Sequence, residues 1–333
     1  MNSLVAKSYP PLPYLFLCRI IFLALLFSNA VPRGQSSPSA RACEGDFQPQ
    51  NGEIGQASEG TPQSYADEPL EKLLKQVPEL KGIRPATDQQ QLPVILRQTG
   101  QRVDEFFSNI VDLVADEDIH QGRLDRYTTM GSAASVRDNY LIVHEENGDF
   151  DEFRMDEAGH RLDQGGQRRG FLVTSGFALI CAHFSSAFER DSQFRYLGDQ
   201  KIGKKETYVV AFAQLPTEAS LTETMVAPGG VTVHMLIQGI AWIDQNNFHI
   251  LRMRTDLLGP QHEVGLDEQT TKVNFSEVQF ADVATPLWLP HDVIVYMKLG
   301  KNIDRFFEEE FRNVHHYKNY RRYRVSSRMV APQ

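Results

Sequence analysis

Cysteine is scarce in this chain. Three occur in 333 residues, Cys18, Cys43 and Cys181. None belongs to a C-x-x-C pair, so zinc-ribbon and thiol-redox chemistry lack support. No H-E-x-x-H stretch is present, and the one His/carboxylate cluster is His315-His316 with Glu308-Glu309-Glu310. Adjacent residues on a strand point to opposite faces, so these imidazoles do not share a metal and one is expected to face solvent. No metal and no cofactor is expected. The serine-hydrolase elbow G-x-S-x-G is missing, with Thr174-Ser175-Gly176 the nearest stretch. Two tryptophans, Trp242 and Trp288, are few for a carbohydrate cleft, and no carboxylate pair stands in a recognisable glycosidase frame. Positive charge is in deficit, 34 Lys and Arg against 43 Asp and Glu for a formal charge of -9, which argues against nucleic acid as a partner. A long apolar run is missing too. Arg19 splits Tyr14–Phe27, and the remaining Ile20–Phe27 is too short to span a bilayer.

What is there begins with a leader. Lys7, the apolar stretch and the small residues Ser28-Asn29-Ala30 give residues 1–30 the layout of a secretory signal peptide. The expected location is therefore exported and periplasmic. Two anchored alternatives stay open: an uncleaved signal over Leu12–Phe27, and lipidation of Cys43, although Ala40-Arg41-Ala42 departs from a lipoprotein signal. In an oxidising compartment Cys43 and Cys181 are able to pair. The plainer reading is a free Cys43 and a buried, inert Cys181.

Residues 31–90 read as a disordered linker rich in Ser, Pro, Gly and Gln, with a short helix over Pro69–Leu80. Leu92–Ala115 has helical periodicity, with Val103, Phe106, Phe107, Ile110 and Val114 on one stripe and Pro93 in the first turn. Such a helix must dock on something apolar. A second covering helix is expected within Phe171–Phe188, where Phe177, Ile180, Cys181, Phe184 and Phe188 have helical spacing; a buried strand is the competing reading.

Beyond Leu124 the chain reads mostly as strands. Val231–Asp256 is a long hairpin about the turn Asp244-Gln245-Asn246-Asn247, with Val231, Val233, Met235, Ile237, Ala241 and Ile243 on one face. Val293, Val295, Met297 and Leu299 alternate in the same way. Such strands cover a core or cavity on one side. In Thr271–Asp282 the apolar set changes parity between Val273, Phe275 and Val278, Phe280, which implies a bulge and hence curvature. Phe306–Met329 is long enough for two strands. Its basic residues, Arg321, Arg322 and Arg324 among them, are read either as contacts for an anionic group at a membrane surface or as the charged side of an edge strand.

The run G-x-A-W-I-D at Gly239–Asp244, followed by Phe248–Arg254, Thr271–Gln279 and P-L-W-L-P at Pro286–Pro290, resembles the LolA/LolB-like superfamily of periplasmic lipoprotein carriers, and within it uncharacterised exported bacterial proteins. The resemblance implies a single half-barrel domain over residues 91–330: mainly β with covering helices (α+β), a curved antiparallel sheet forming an unclosed β-barrel. It implies a non-enzymatic carrier or binder of lipid, lipoprotein acyl chains or another apolar ligand. The alternatives are an envelope structural or protein-interaction module and, further off, an unrecognised hydrolase. The expected cavity lining is Val233, Met235, Ile237, Ile243, Val293, Val295 and Met297, with Phe177 and Phe184 from the covering segment, and Trp242 and Trp288 at the entrance. Lipid, an acylated protein or an envelope protein is the expected partner, with peripheral membrane contact.

Overall fold

A computed structural model describes residues 64–124, 130–145, 150–162, 176–226, 232–300 and 309–323, together with the short strands Ile20–Leu23 and Val173–Thr174. In chain order the elements are β1 (Ile20–Leu23), α1 (Leu70–Gln76), β2 (Arg84–Pro85), α2 (Leu92–Asn109), β3 (Leu113–Leu124), β4 (Met130–His144), β5 (Phe150–Met155) and β6 (Val173–Thr174). They continue as β7 (Ser192–Ile202), β8 (Lys205–Gln214), β9 (Glu223–Val226), β10 (Thr232–Met235), β11 (Ile237–Asp244) and β12 (Ile250–Leu257). The last three are β13 (Leu266–Val278), β14 (Leu287–Leu299) and β15 (Glu309–Arg322).

Eleven strands form one antiparallel sheet in the order β2-β7-β8-β11-β12-β13-β14-β15-β3-β4-β5. Its two ends, β2 and β5, do not meet, so the sheet is an open, curved half-barrel. Bulges supply the curvature. The bulge expected within the Thr271–Asp282 segment is not there: β13 keeps one parity through Phe275 and ends at Val278, while the register shifts at Asn274/Phe275, where Asn274 pairs with Asp292 and Phe275 with Pro290. The extra residue, His291, therefore sits on β14. A smaller, separately hydrogen-bonded sheet has the order β10-β9-β1-β6.

Both faces of the sheet carry a core. The inner face gathers Leu113, Ala115, Ile142, Val210, Phe212, Ile237, Ala241, Ile243, Met253, Val273, Leu289, Val293, Val295 and Met297. Over it lie α2, through Ile95, Leu96, Thr99, Gly100 and Val103, and the segment Phe177–Phe184. Burying each large aliphatic side chain of α2 contributes about 1.5–3 kcal/mol. On the outer face, Leu73, Val77 and Leu80 pack with Leu197, Val209, Ile240 and Trp242. Sandwiched between these layers, every residue of β11 is buried, which explains its unbroken apolar run.

Several sequence expectations change here. The expected short helix is present as α1, followed by a 3₁₀ turn at Pro78–Leu80. However, residues 64–90 are a packed outer layer rather than linker, because Leu73, Val77 and Leu80 occur at close spacing and all reach 0 % exposure. Residues 31–63, Cys43 and the turn Asn147-Gly148 lie outside the described residues. The helix expected to reach Ala115 stops at Asn109, where Ile110 turns to an extended backbone, and Val114 belongs to β3. The Phe177–Phe188 cover is a 3₁₀ turn over Leu179–Phe184 and a second over Glu189–Asp191, not an α-helix. The long hairpin breaks at Leu236: β10 joins the small sheet and β11 the large one. The described part of the last segment is one strand, β15, with a register shift at Lys318/Arg321. It lies between β14 and β3, so it is no edge.

Candidate functional site

A cleft opens on the inner face beside the C-terminal half of α2. Arg102, Val103, Phe106 and Asn109 form one wall of the cleft, Ile250, Phe275 and Leu287 the other, with Cys181 within and His249 and Trp288 at the rim. Its volume is about 40 Å³, room for a few water molecules. The walls are apolar because α2 presents Val103 and Phe106 one turn apart toward alternating inward residues of β12 and β13. Gly100 lets α2 sit close to the covering turn: a Cβ there would stand 3.1 Å from the Phe184 carbonyl oxygen.

The rim is built by the β11–β12 turn. Asp244 accepts a hydrogen bond from the Asn246 backbone and an ion pair from Lys205 Nζ at 2.8 Å. Phe248 is held at φ 60, a left-handed conformation that costs a bulky residue on the order of 1 kcal/mol. Next in sequence, His249 stacks on Trp288 with ring centroids 5.0 Å apart. Lys205 Nζ lies 4.6 Å from the centroid of the same indole, a cation–π contact. Burial, reinforced by the Arg102 charge, pushes the His249 imidazole down to about 4. The ring is therefore neutral at physiological pH, and Arg102 is itself paired with Glu105 at 2.5 Å. Inside, burial pushes the Cys181 thiol up to about 12, so it is not a nucleophile.

The nine residues expected to line a cavity are brought together, but as packing. Val233, Met235, Ile237, Ile243, Val293, Val295, Met297, Phe177 and Phe184 all belong to the inner core, none more than 8 % exposed. None of them borders the cleft. The two tryptophans separate. Trp288 stands at the rim, whereas Trp242 is wholly buried on the outer face, its Nε1–H donating to Gln200 Oε1 at 2.7 Å. Three of the described basic residues near the C-terminus face carboxylates, Arg321 with Asp116, Arg322 with Asp282 and Lys318 with Asp118, while Arg312 lies over the Tyr296 ring. That leaves little free charge for an anionic headgroup. Arg324 lies outside the described residues.

Sequence reasoning missed a buried polar network at the β3–β15 end. Arg154 donates to both oxygens of Glu117, His315 Nδ1 lies 2.8 Å from Glu117 Oε1, and Tyr317 donates to the same oxygen. Beside it Tyr140 donates to Glu152, which also accepts from the Gly176 and Leu179 backbone. Burial alone would raise the Glu117 carboxyl, but the Arg154 charge and the His315 contact outweigh it and hold the group at about 2. As expected for neighbours on a strand, His315 is buried and His316 exposed. The inward alternation Ala115, Glu117, Ile119, Gln121 was the available signal, obscured because polar residues occupy inward positions.

No family model and no curated protein matches the chain. Among solved structures it is similar to an outer membrane lipoprotein-sorting protein domain from Vibrio parahaemolyticus, at 10 % identity and a TM-score of 0.35, covering 68 % of this chain and 90 % of that one. It is also similar to a DUF1329 family protein from Desulfovibrio piger, at 11 % identity and a TM-score of 0.36, covering 71 % and 94 %. The open, curved antiparallel sheet with covering helices is the architecture that the strand pattern implied.

Proposed function

We propose that the protein is a non-enzymatic binder and carrier of an apolar chain, such as a lipid or the acyl chain of a lipoprotein, acting as an exported protein in the periplasm. The observation that carries this reading is the apolar cleft between α2 and the inner face, with Trp288 at its rim. At about 40 Å³ the cleft is small, well below the several hundred Å³ of a ligand-filled pocket. Binding therefore requires α2 to lift from the sheet. Each CH₂ then buried against Val103, Phe106, Ile250 and Phe275 contributes about 0.8 kcal/mol.

A protein-docking module finds less support. The exposed large apolar side chains among the described residues are Leu74 and Val94, on different helices, and single exposed residues do not make a docking patch. The buried Glu117–His315 pair lacks the access that hydrolysis would need.

Native mass spectrometry of the protein purified from its own envelope tests the reading. Co-purifying lipid, together with displacement of a bound fluorescent fatty acid, is the expected result. Absence of lipid and no fatty-acid binding would overturn it.

A further inference from the structure

A second polar group lies in the interior, and nothing in the carrier reading uses it. Glu223 of β9 and Gln269 and Thr271 of β13 are 0 %, 4 % and 1 % exposed. Gln269 Nε2 donates to Glu223 Oε2 at 3.1 Å. Three buried oxygens then have no hydrogen-bond partner: Glu223 Oε1, Gln269 Oε1 and Thr271 Oγ1. Leaving such atoms unpaired in the interior is costly, and all three lack the same thing, a hydrogen-bond donor. Burial raises the Glu223 carboxyl to about 8, with only the Gln269 amide opposing it.

We propose that Glu223, Gln269 and Thr271 form a binding site for a primary ammonium group. The argument is one of counting and charge. A primary ammonium has three donors and no acceptor, and the site offers three unpaired oxygens. One of them is a carboxylate oxygen, so the bound pair is neutral. Gln269 and Thr271 alternate with Glu268 and Thr270, which face a groove of about 550 Å³ on the other side of β13. The backbone of Glu223 pairs with Ile20 in β1.

A free small amine and the ethanolamine headgroup of a lipid share this chemistry. The test measures thermal unfolding of the full chain at pH 8 with ethylamine, with a short-chain ethanolamine phospholipid, and with choline, which keeps the charge but has no N–H. The expected result is a melting temperature that rises with the logarithm of amine concentration, no rise with choline, and loss of the rise in Glu223→Gln. A rise with the phospholipid alone assigns the ligand to a lipid headgroup, and a rise with ethylamine as well assigns it to amines in general. An equal rise with choline, a rise only with sodium or calcium ions, no rise with any amine, or an unchanged response in Glu223→Gln each overturns the proposal. Fatty-acid displacement in the same variant reports on the cleft separately, so failure here leaves the carrier reading standing.

Discussion

Arg154 grips Glu117 through two hydrogen bonds, Nε to Oε2 at 2.5 Å and a terminal nitrogen to Oε1 at 2.7 Å, with both side chains buried. Removing one partner strands the other charge in a low dielectric. Arg154→Met should destabilise the fold by about 3–5 kcal/mol in chemical denaturation. Arg154→Met combined with Glu117→Gln should recover part of that loss. Because the Glu117 carboxyl is depressed to about 2, the pair's contribution is complete above the ordinary carboxylate value and declines as pH falls toward 2. A double variant no less destabilised than Arg154→Met would refute the coupling.

Glu223 has the opposite sign. Its folded-state carboxyl is raised to about 8, so the neutral form suits the fold and stability falls as pH rises from the ordinary carboxylate value toward 8. In the full chain without added amine, Glu223→Gln should gain about 3 kcal/mol at pH 7 and little at pH 4. Denaturation midpoints at the two pH values check this, and an equal change at both would contradict it.

His183 is 1 % exposed, and both ring nitrogens lack partners. Burial lowers it to about 4 against a smaller opposing pull from Asp191. A lowered histidine contributes stability above its unfolded value near 6.5, lost as pH falls from there toward 4. His249 behaves alike. His183→Phe should flatten the stability loss between pH 6.5 and 4, leaving the share of His249. An unaltered slope would show that His183 does not titrate with folding.

The two tryptophans give separate optical reports. In Trp242→Phe the remaining indole is Trp288, at the cleft rim. Its fluorescence should shift on fatty-acid binding, whereas Trp288→Phe, leaving the sealed Trp242, should be silent. A response from Trp242 alone would place the ligand elsewhere.

Gly198 has φ +138, and a Cβ there would fall 2.0 Å from the Arg84 carbonyl oxygen. Gly198→Ala should detach β2 and raise protease cleavage within residues 81–91, at a cost of about 2–4 kcal/mol. Unchanged cleavage would mean that the strap does not depend on this close approach.

The alternation in β11 and β14 made the inner face legible, since Ile237, Ala241, Ile243, Val293, Val295 and Met297 do share one core. The bulge was not legible: the parity change at Val278 and Phe280 marks the end of β13, and the inserted residue, His291, lies on β14. β3 was not legible: its inward Glu117 and Gln121 break the apolar pattern, and their partners lie nearly two hundred positions away in β15. Trp242 was misassigned to an entrance because alternation separates two faces without saying that both are covered. The unpaired oxygens at Glu223, Gln269 and Thr271 left no sequence signal, since a bonding deficit exists only once the chain has folded.

That second covering layer has a dynamic consequence. With β11 shielded from both sides, its amides should be among the last to undergo hydrogen exchange, released only by global unfolding. Lifting α2 exposes one face and leaves the other sealed. If α2 lifts as the carrier proposal requires, that motion is decoupled from the one that unfolds the chain.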